Sequence, residues 1–210
     1  ELSGLKKELP DILDKTIDNA RSYGKFLIVY AGSHGITNQL DVIINAAKEL
    51  QDRGYVKFQF LFIGSGPEKR NLITLSKESG LYNTAFFNAI PKQAVPTLLN
   101  KCDVAVLSWK NAPLYRYGIS ANKLWDYMIC GIPIIWGIDT SSDYVKEANC
   151  GITVPPENPG AMAEAILTLS KMSDNERNEM GQRGYSYVMK YHSTPLLANK
   201  LLEVLKDVNI

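Results

Sequence analysis

The chain has 210 residues, of which 45% are hydrophobic and 21% charged, and its 23 basic and 22 acidic side chains leave a formal net charge of +1. That length supports one large α/β domain with a substantial core, and near-neutrality without a long single-sign run excludes a polyanion-binding surface and a polybasic membrane patch, so nucleic acid is not an expected partner. Three cysteines without C-x-x-C spacing suit a reducing compartment, taken as the cytoplasm, better than a disulfide scaffold.

Residues 1–23 are charged, weakly amphipathic and interrupted by Pro10; they are expected to be a lead-in from an upstream domain that lies outside this sequence. Short apolar runs then alternate with helical patterns, the signature of βαβ units and a parallel sheet. Strands are predicted over 26–31, 58–63, 84–87, 104–107, 134–136 and 152–154, each apolar nearly throughout, as strands covered by helices on both faces must be. The stretches 38–53, 67–79, 95–101, 121–130, 142–148 and 159–171 carry helical spacing, clearest in "LDVIINAAKEL", and helices over 174–190 and 195–207 close the chain. There is no internal repeat and no low-complexity segment. The expected fold class is α/β, a Rossmann-like parallel sheet of about six strands with helices on both faces, as one domain over 24–191 followed by a C-terminal helix over 192–210. The runs "FLIVYA" and "FQFLFIG" fall far short of the ~20 residues a membrane-spanning helix needs, and the N-terminus has no signal-peptide pattern.

Ligands of doubly wound sheets sit beyond the carboxyl ends of the strands, where loops turn into helix N-termini. After the first strand comes "AGSHGITNQ", with Gly32 and Gly35 around Ser33 and His34. Glycines there let the backbone approach an anion, but tight turns use glycine equally, and the loop is neither G-x-G-x-x-G nor a Walker motif. After the second strand comes "IGSGPEK", where Gly64 and Gly66 turn the chain and Pro67 fits a first helical position; a plain turn and a ligand contact are both open. His34 and His192 are too isolated for a metal cluster and read as surface or capping residues.

The stretch "RYGISANKLWDYMICGIPIIW", residues 116–136, carries more chemistry. Ser120 suits the N-cap of a helix over 121–130, which Gly131 and Pro133 end. Lys123 is then the third helical residue, a cation at the positive end of the dipole beside the unpaired N–H groups of Ala121 and Asn122, and the conflict disappears if an anion sits there. Asp126 is one turn further on. At about 1.5 Å rise per residue it lies where a ribose would be if the helix tip held its diphosphate, and a carboxylate accepts from both ribose hydroxyls. The same spacing also allows an ordinary exposed i, i+3 pair of Lys123 with Asp126, worth roughly 0.2–0.5 kcal/mol.

From residue 26 to about 191 the chain resembles the C-terminal, nucleotide-sugar-binding half of a GT-B fold glycosyltransferase of the large retaining family 4, close to the branch that builds bacterial capsule and O-antigen polysaccharides. The resemblance runs through "IVYAGSHG", "FLFIGSGPEK", "NAIPKQAVPTLLNKCDVAVL", "YGISANKLWDYMICGIPII", "NCGITVPPENPGAMAEAI" and "MGQRGYSYVMKY". It implies that Asp126, where glutamate is usual, binds the nucleotide ribose. It places the base against the backbone near Ala89 and Ile90, with Gly64 to Pro67 close by. Gly32, Ser33, Gly35, Gly64 and Gly66 join Ser120, Ala121 and Asn122 as expected nucleotide-sugar contacts. The chain departs from the family pattern in two places. Gly118 stands eight positions before Asp126, where the family has a second glutamate that contacts the donor sugar or phosphate. Ser33 and Asn38 stand where many members hold the diphosphate with an arginine and a lysine. With both first-loop cations absent, Lys123 is the expected catalytic cation, stabilising the diphosphate leaving group; Arg116, in the preceding loop, is a second candidate.

The resulting expectation is the donor domain of a retaining glycosyltransferase that moves a sugar from a nucleotide diphosphate sugar, a UDP-sugar by resemblance, to a glycan or lipid-linked acceptor in surface polysaccharide synthesis. No cofactor and no metal are expected. The partner is an N-terminal acceptor-binding domain of the same enzyme, through which any attachment at the inner membrane would come, and this half alone should bind donor but turn over poorly or not at all. Two alternatives stay open: one half of a nucleotide-sugar epimerase, and a non-catalytic nucleotide-binding subunit docking on a separate acceptor-binding partner.

Overall fold

The structure, a computed structural model, describes residues 8–119 and 121–207. Strands β1 (Phe26–Ala31), β2 (Phe58–Ile63), β3 (Thr84–Phe87), β4 (Val104–Ser108), β5 (Ile134–Gly137) and β6 (Gly151–Thr153) form one parallel sheet in the order β3-β2-β1-β4-β5-β6. β1, β2, β4 and β5 are buried almost throughout, which is why they appear in the sequence as continuous apolar runs rather than alternations. The winding reverses between β1 and β4, so the ligand crevice of this Rossmann-like fold opens beyond their carboxyl ends.

Helices α1 (Asp11–Ser22), α2 (Leu40–Asp52), α3 (Lys69–Glu78), α4 (Val95–Asn100), α5 (Asn122–Ile129), α6 (Tyr144–Glu147), α7 (Pro159–Lys171), α8 (Asp174–Tyr191) and α9 (Thr194–Asp207) complete the described chain. Most lie where the apolar spacing predicts them, within a residue or two. Three differences have physical causes. The segment read as a lead-in contains α1, whose Leu13, Ile17 and Ala20 are buried, while Lys101 pairs with Asp14 and Asp18 and Arg21 pairs with Asp103. α2 starts at Leu40, not at Asn38, because Gln39 takes a left-handed conformation (φ 40°) that separates the helix from a 3-10 turn over Ile36–Asn38. α5 is shorter than predicted and has Ala121 at its N-cap, with no side-chain cap bond, so Lys123 is the second helical residue rather than the third. The predicted cap Ser120 lies outside the described residues.

α8 is started by a capping box in which Ser173 and Glu176 satisfy each other's backbone N–H groups. α9 leaves Leu197, Leu201, Leu202, Val204 and Leu205 exposed. Among the described residues no helix is long and apolar enough to cross a membrane.

The tips of β1 and β2 meet so closely that only glycine fits. Gly64 has φ +151°, and a Cβ there would fall 1.8 Å from the carbonyl oxygen of Gly32. Gly64→Ala is therefore expected to lower the unfolding free energy by roughly 2–4 kcal/mol, read from a urea denaturation midpoint; an unchanged midpoint would show that the two tips part without cost.

Candidate functional site

The carboxyl ends of β1, β2 and β3 open beside α5 into a cleft of about 410 Å³, within the ~300–1,000 Å³ usual for small-molecule sites. Gly32 and Ser33 follow β1, Gly64 and Ser65 follow β2, Ala89, Ile90 and Lys92 follow β3, and α5 adds Lys123, Asp126 and Tyr127. Larger depressions lie elsewhere, among them one of about 720 Å³ against α8 and one of about 800 Å³ at the amino ends of the strands. The second of these contains charges that already match: Asp103 accepts from the Leu27 N–H at 2.6 Å and faces Arg21 at 2.7 Å and Arg177 at 4.0 Å. The smaller cleft differs because it holds a cation without a counter-ion.

That cation is Lys123. Its side chain runs over Gly32, where a Cβ would fall 1.8 Å from its Cε, so the missing methyl group is what admits it. Nζ donates to Oδ1 of Asn38 at 3.4 Å and stands 5.5 Å from the centroid of the Tyr30 ring. Among the described residues Lys123 forms no ion pair. Burial pushes its ammonium below the ordinary lysine value of 10.5, because water has been removed without a carboxylate to replace it. Asp126 lies in the same cleft, and its ion pair is with Lys92 at 3.7 Å rather than with Lys123, so the ordinary i, i+3 surface pair is not formed. Burial raises the Asp126 carboxyl above 3.8, and Lys92 pulls it back.

Two residues that carry no motif hold these groups in place. Tyr127 Oη accepts from the Ala31 N–H at 2.9 Å and donates to the Ala31 carbonyl at 3.2 Å, fixing α5 to the end of β1. Lys69 donates to the Gly64 carbonyl at 2.9 Å, the Phe87 carbonyl at 2.7 Å and Asn88 Oδ1 at 2.9 Å, joining the ends of β2 and β3. The only hint of the second in the sequence is the lysine that ends "IGSGPEK".

The structure thus brings Gly32, Ser33, Gly64, Ile90, Lys123 and Asp126 together as anticipated from the sequence. Gly35 stands just outside, with a Cβ position 3.4 Å from Asn38 Nδ2, and Gly66 packs on the His34 backbone, a hypothetical Cβ lying 2.4 Å from its carbonyl oxygen. Ala121 is buried and Asn122 exposed, and neither lines the cleft; Arg116 is exposed on a 3-10 turn over Pro113–Tyr117, also away from the lining. His34 is not a surface or capping residue: it is fully buried, its ring nitrogens have no partner, and burial, with Lys69 nearby, pushes it down to about 4. It is a neutral prop beneath the glycine loop. Among the described residues no group of three or more His, Cys, Asp or Glu side chains is placed to hold a metal ion.

The cleft, with its cation and carboxylate, lies beyond the carboxyl ends of the strands of a six-stranded Rossmann-like sheet, where doubly wound folds bind their ligands. Residues 14–187 match the family model for glycosyl transferases group 1, and the chain belongs to that family. A 2-deoxystreptamine glucosyltransferase from Streptomyces kanamyceticus is 25% identical over 134 residues, which are 63% of this chain and 32% of that protein. Among solved structures, Anabaena Alr3699/HepE in complex with UDP and glucose superposes with a TM-score of 0.76 at 14% identity, covering 96% of this chain and 54% of its own. The C-terminal domain of LpcC, a glycosyl transferase group 1 family protein from Francisella tularensis, gives a TM-score of 0.65 at 19% identity, over 81% of this chain and 88% of its own. The chain therefore spans about a third of the glucosyltransferase and about half of HepE, and the solved structures share its fold.

Lys123→Met retains the length of the side chain and removes the stranded charge. Nucleoside diphosphate should bind at least tenfold more weakly, as expected for a lost charged hydrogen bond of about 1.5–3 kcal/mol, and uridine about equally. The unliganded variant should be as stable as the parent at neutral pH or slightly more so. The sign follows from linkage: the folded lysine loses its proton below the 10.5 of the unfolded chain, so the parent gains stability as pH rises through that window and the Met variant does not. Calorimetry and urea titrations at pH 7 and 10 check both; a loss of stability with unchanged diphosphate affinity would reduce Lys123 to a packing residue.

Proposed function

We infer that this chain is the donor half of a retaining glycosyltransferase that moves a sugar from a uridine diphosphate sugar to a glycan or lipid-linked acceptor in surface polysaccharide synthesis. One observation carries the inference: a desolvated ammonium without a carboxylate, Lys123, shares a nucleotide-sized cleft with a half-buried carboxylate, Asp126. The diphosphate meets the Lys123 ammonium beside the loop that follows β1, the ribose hydroxyls donate to Asp126, and the base rests on the backbone of Ala89 and Ile90. As the bond from the sugar to the diphosphate breaks, charge builds on the departing oxygen, and a preorganised cation in a water-poor site stabilises it. Lys123 takes this role because Ser33, Asn38 and Gly118 offer no charge.

The family match favours a transferase over an epimerase, and the UDP and glucose held by HepE, a protein of the same fold, favour a uridine nucleotide. The acceptor is assigned to an N-terminal half of the same enzyme. Two facts support that partner: the chain spans 54% of HepE, and α9 has five exposed large aliphatic side chains among the described residues. The chain alone is expected to bind donor without efficient turnover. The cytoplasm is the proposed compartment, supported by three free cysteines.

Calorimetry with uridine diphosphate in a chelator tests this directly. Binding without a divalent metal is expected, since Lys123 supplies the charge a metal would otherwise bring; binding only with magnesium or manganese would contradict it. Asp126→Asn should weaken binding about tenfold or more, because a charged acceptor becomes neutral, and removing the ribose 2′-hydroxyl should then cost less in the variant than in the parent. Equal losses in the two proteins would show that Asp126 does not touch the ribose.

A further inference from the structure

Lys92 lies within the stretch "NAIPKQAVPTLLNKCDVAVL" but has no role assigned from the sequence, yet it lines the same cleft. It opens a three-residue 3-10 turn, Lys92–Ala94, immediately after Pro91. The turn is anchored: Ala94 is fully buried, and its N–H donates to the Pro91 carbonyl at 2.9 Å. From this support the lysine reaches α5, placing Nζ 3.7 Å from Asp126 Oδ1, with side-chain exposures of 71% for Lys92 and 29% for Asp126. The pair thus stands at the mouth of the cleft with its carboxylate turned inward and its ammonium outward.

The distance matters. At 3.7 Å the ammonium is close enough to attract the carboxylate but beyond a direct hydrogen bond. A carboxylate has about four acceptor sites, and this arrangement leaves them free for hydroxyl donors while the field of Lys92 still acts. Among the described residues, the groups with a charge or titratable proton around Asp126 are Lys92 from the turn after β3, which pairs with it, and, on α5 itself, Lys123 in the same cleft, Tyr127 and Cys130. Of these, Lys92 is the one that forms an ion pair with the carboxylate and favours its charged form, while burial opposes it.

We propose that Lys92 is a positioning residue of the nucleotide cleft, which acts through Asp126 by holding that carboxylate charged and in place to receive the ribose hydroxyls. The proposal rests on the assignment of the cleft to a nucleotide and deepens it. Lys92 need not touch the ligand. Its effect is therefore pH-dependent: lost attraction makes Asp126 harder to ionise, so ribose affinity should fail at a higher pH once Lys92 is removed.

Uridine titrated by NMR shift perturbation between pH 5 and 8 tests this in the parent, Lys92→Met, Lys92→Arg and Asp126→Asn, with the Asp126 carboxyl followed by carbon NMR in the unliganded domain. The Met variant should bind within about twofold of the parent at pH 8 and fall behind by up to about a further fivefold as the pH is lowered through the Asp126 titration, the range of an exposed ion pair. Its Asp126 titration should move to higher pH, and Arg should restore both. An acid limb and carboxyl titration that match the parent would overturn the proposal, as would an equal loss at every pH. A parent that binds no uridine, or an Asn variant that binds it as the parent does with the same acid limb, would overturn the nucleotide assignment itself and the proposal with it.

Discussion

Tyr127, on the face of α5 turned towards the sheet, bonds through one hydroxyl to both the N–H and the carbonyl of Ala31. Those groups close β1 where its neighbour no longer can: β4 pairs with β1 only at Ile28 and Val29, so the last residue of β1 has no strand partner on that side. A buried backbone pair left open there would cost on the order of 1–3 kcal/mol per group. By closing it with a side chain, the fold fixes the distance between α5 and the tip of β1. Lys123, one turn earlier on the same face of α5, is thereby held across Gly32, and Asp126 beside it faces the segment that follows β3.

This placement sets local stability against function. A half-buried ammonium is costly without a counter-ion, and what Lys123 has instead is one long hydrogen bond to an amide oxygen and the face of a tyrosine ring. Cation–π attraction of this kind contributes about 0.5–1 kcal/mol at exposed sites, which is too little to balance full desolvation. Asp126 is treated differently, since Lys92 partly compensates its burial. The cleft therefore presents an uncompensated positive charge next to a carboxylate whose burial Lys92 only partly offsets, and under the proposed function the two ends of a nucleotide diphosphate would meet these opposite demands. Places where a fold leaves such a conflict standing are where function is expected.

Much of this was legible in the sequence, for reasons particular residues make clear. β1 and β2 are buried on both faces, so their limits coincide with the apolar runs 26–31 and 58–63. Lys123 stood out because a cation in a first helical turn defies the dipole without any need for tertiary information. α1 was hidden because Asp11, Asp14, Lys15 and Asp18 dilute an apolar face of only Leu13, Ile17 and Ala20. Gln39, whose left-handed backbone has no sequence signal, hides that α2 starts beyond Asn38, so spacing alone assigns the amide that meets Lys123 to the helix. Tyr127 and Lys92 act through partners far along the chain, as Tyr127 does on Ala31 at a separation of 96 residues, and periodicity has no access to such pairs. The burial of His34 escapes the sequence for the same reason: the glycine loop that covers it belongs to another strand.

The state of the Lys123 ammonium is the most direct measure of whether this cleft is an unfilled anion site. Its side-chain titration, followed by NMR of selectively labelled lysine and assigned with Lys123→Met, can be compared in the free domain and at saturating uridine diphosphate. A midpoint below that of an ordinary lysine in the free domain, rising when the diphosphate is added, is the result predicted here. An ordinary midpoint in the free domain, or a depressed one that uridine diphosphate leaves unmoved, would contradict the account.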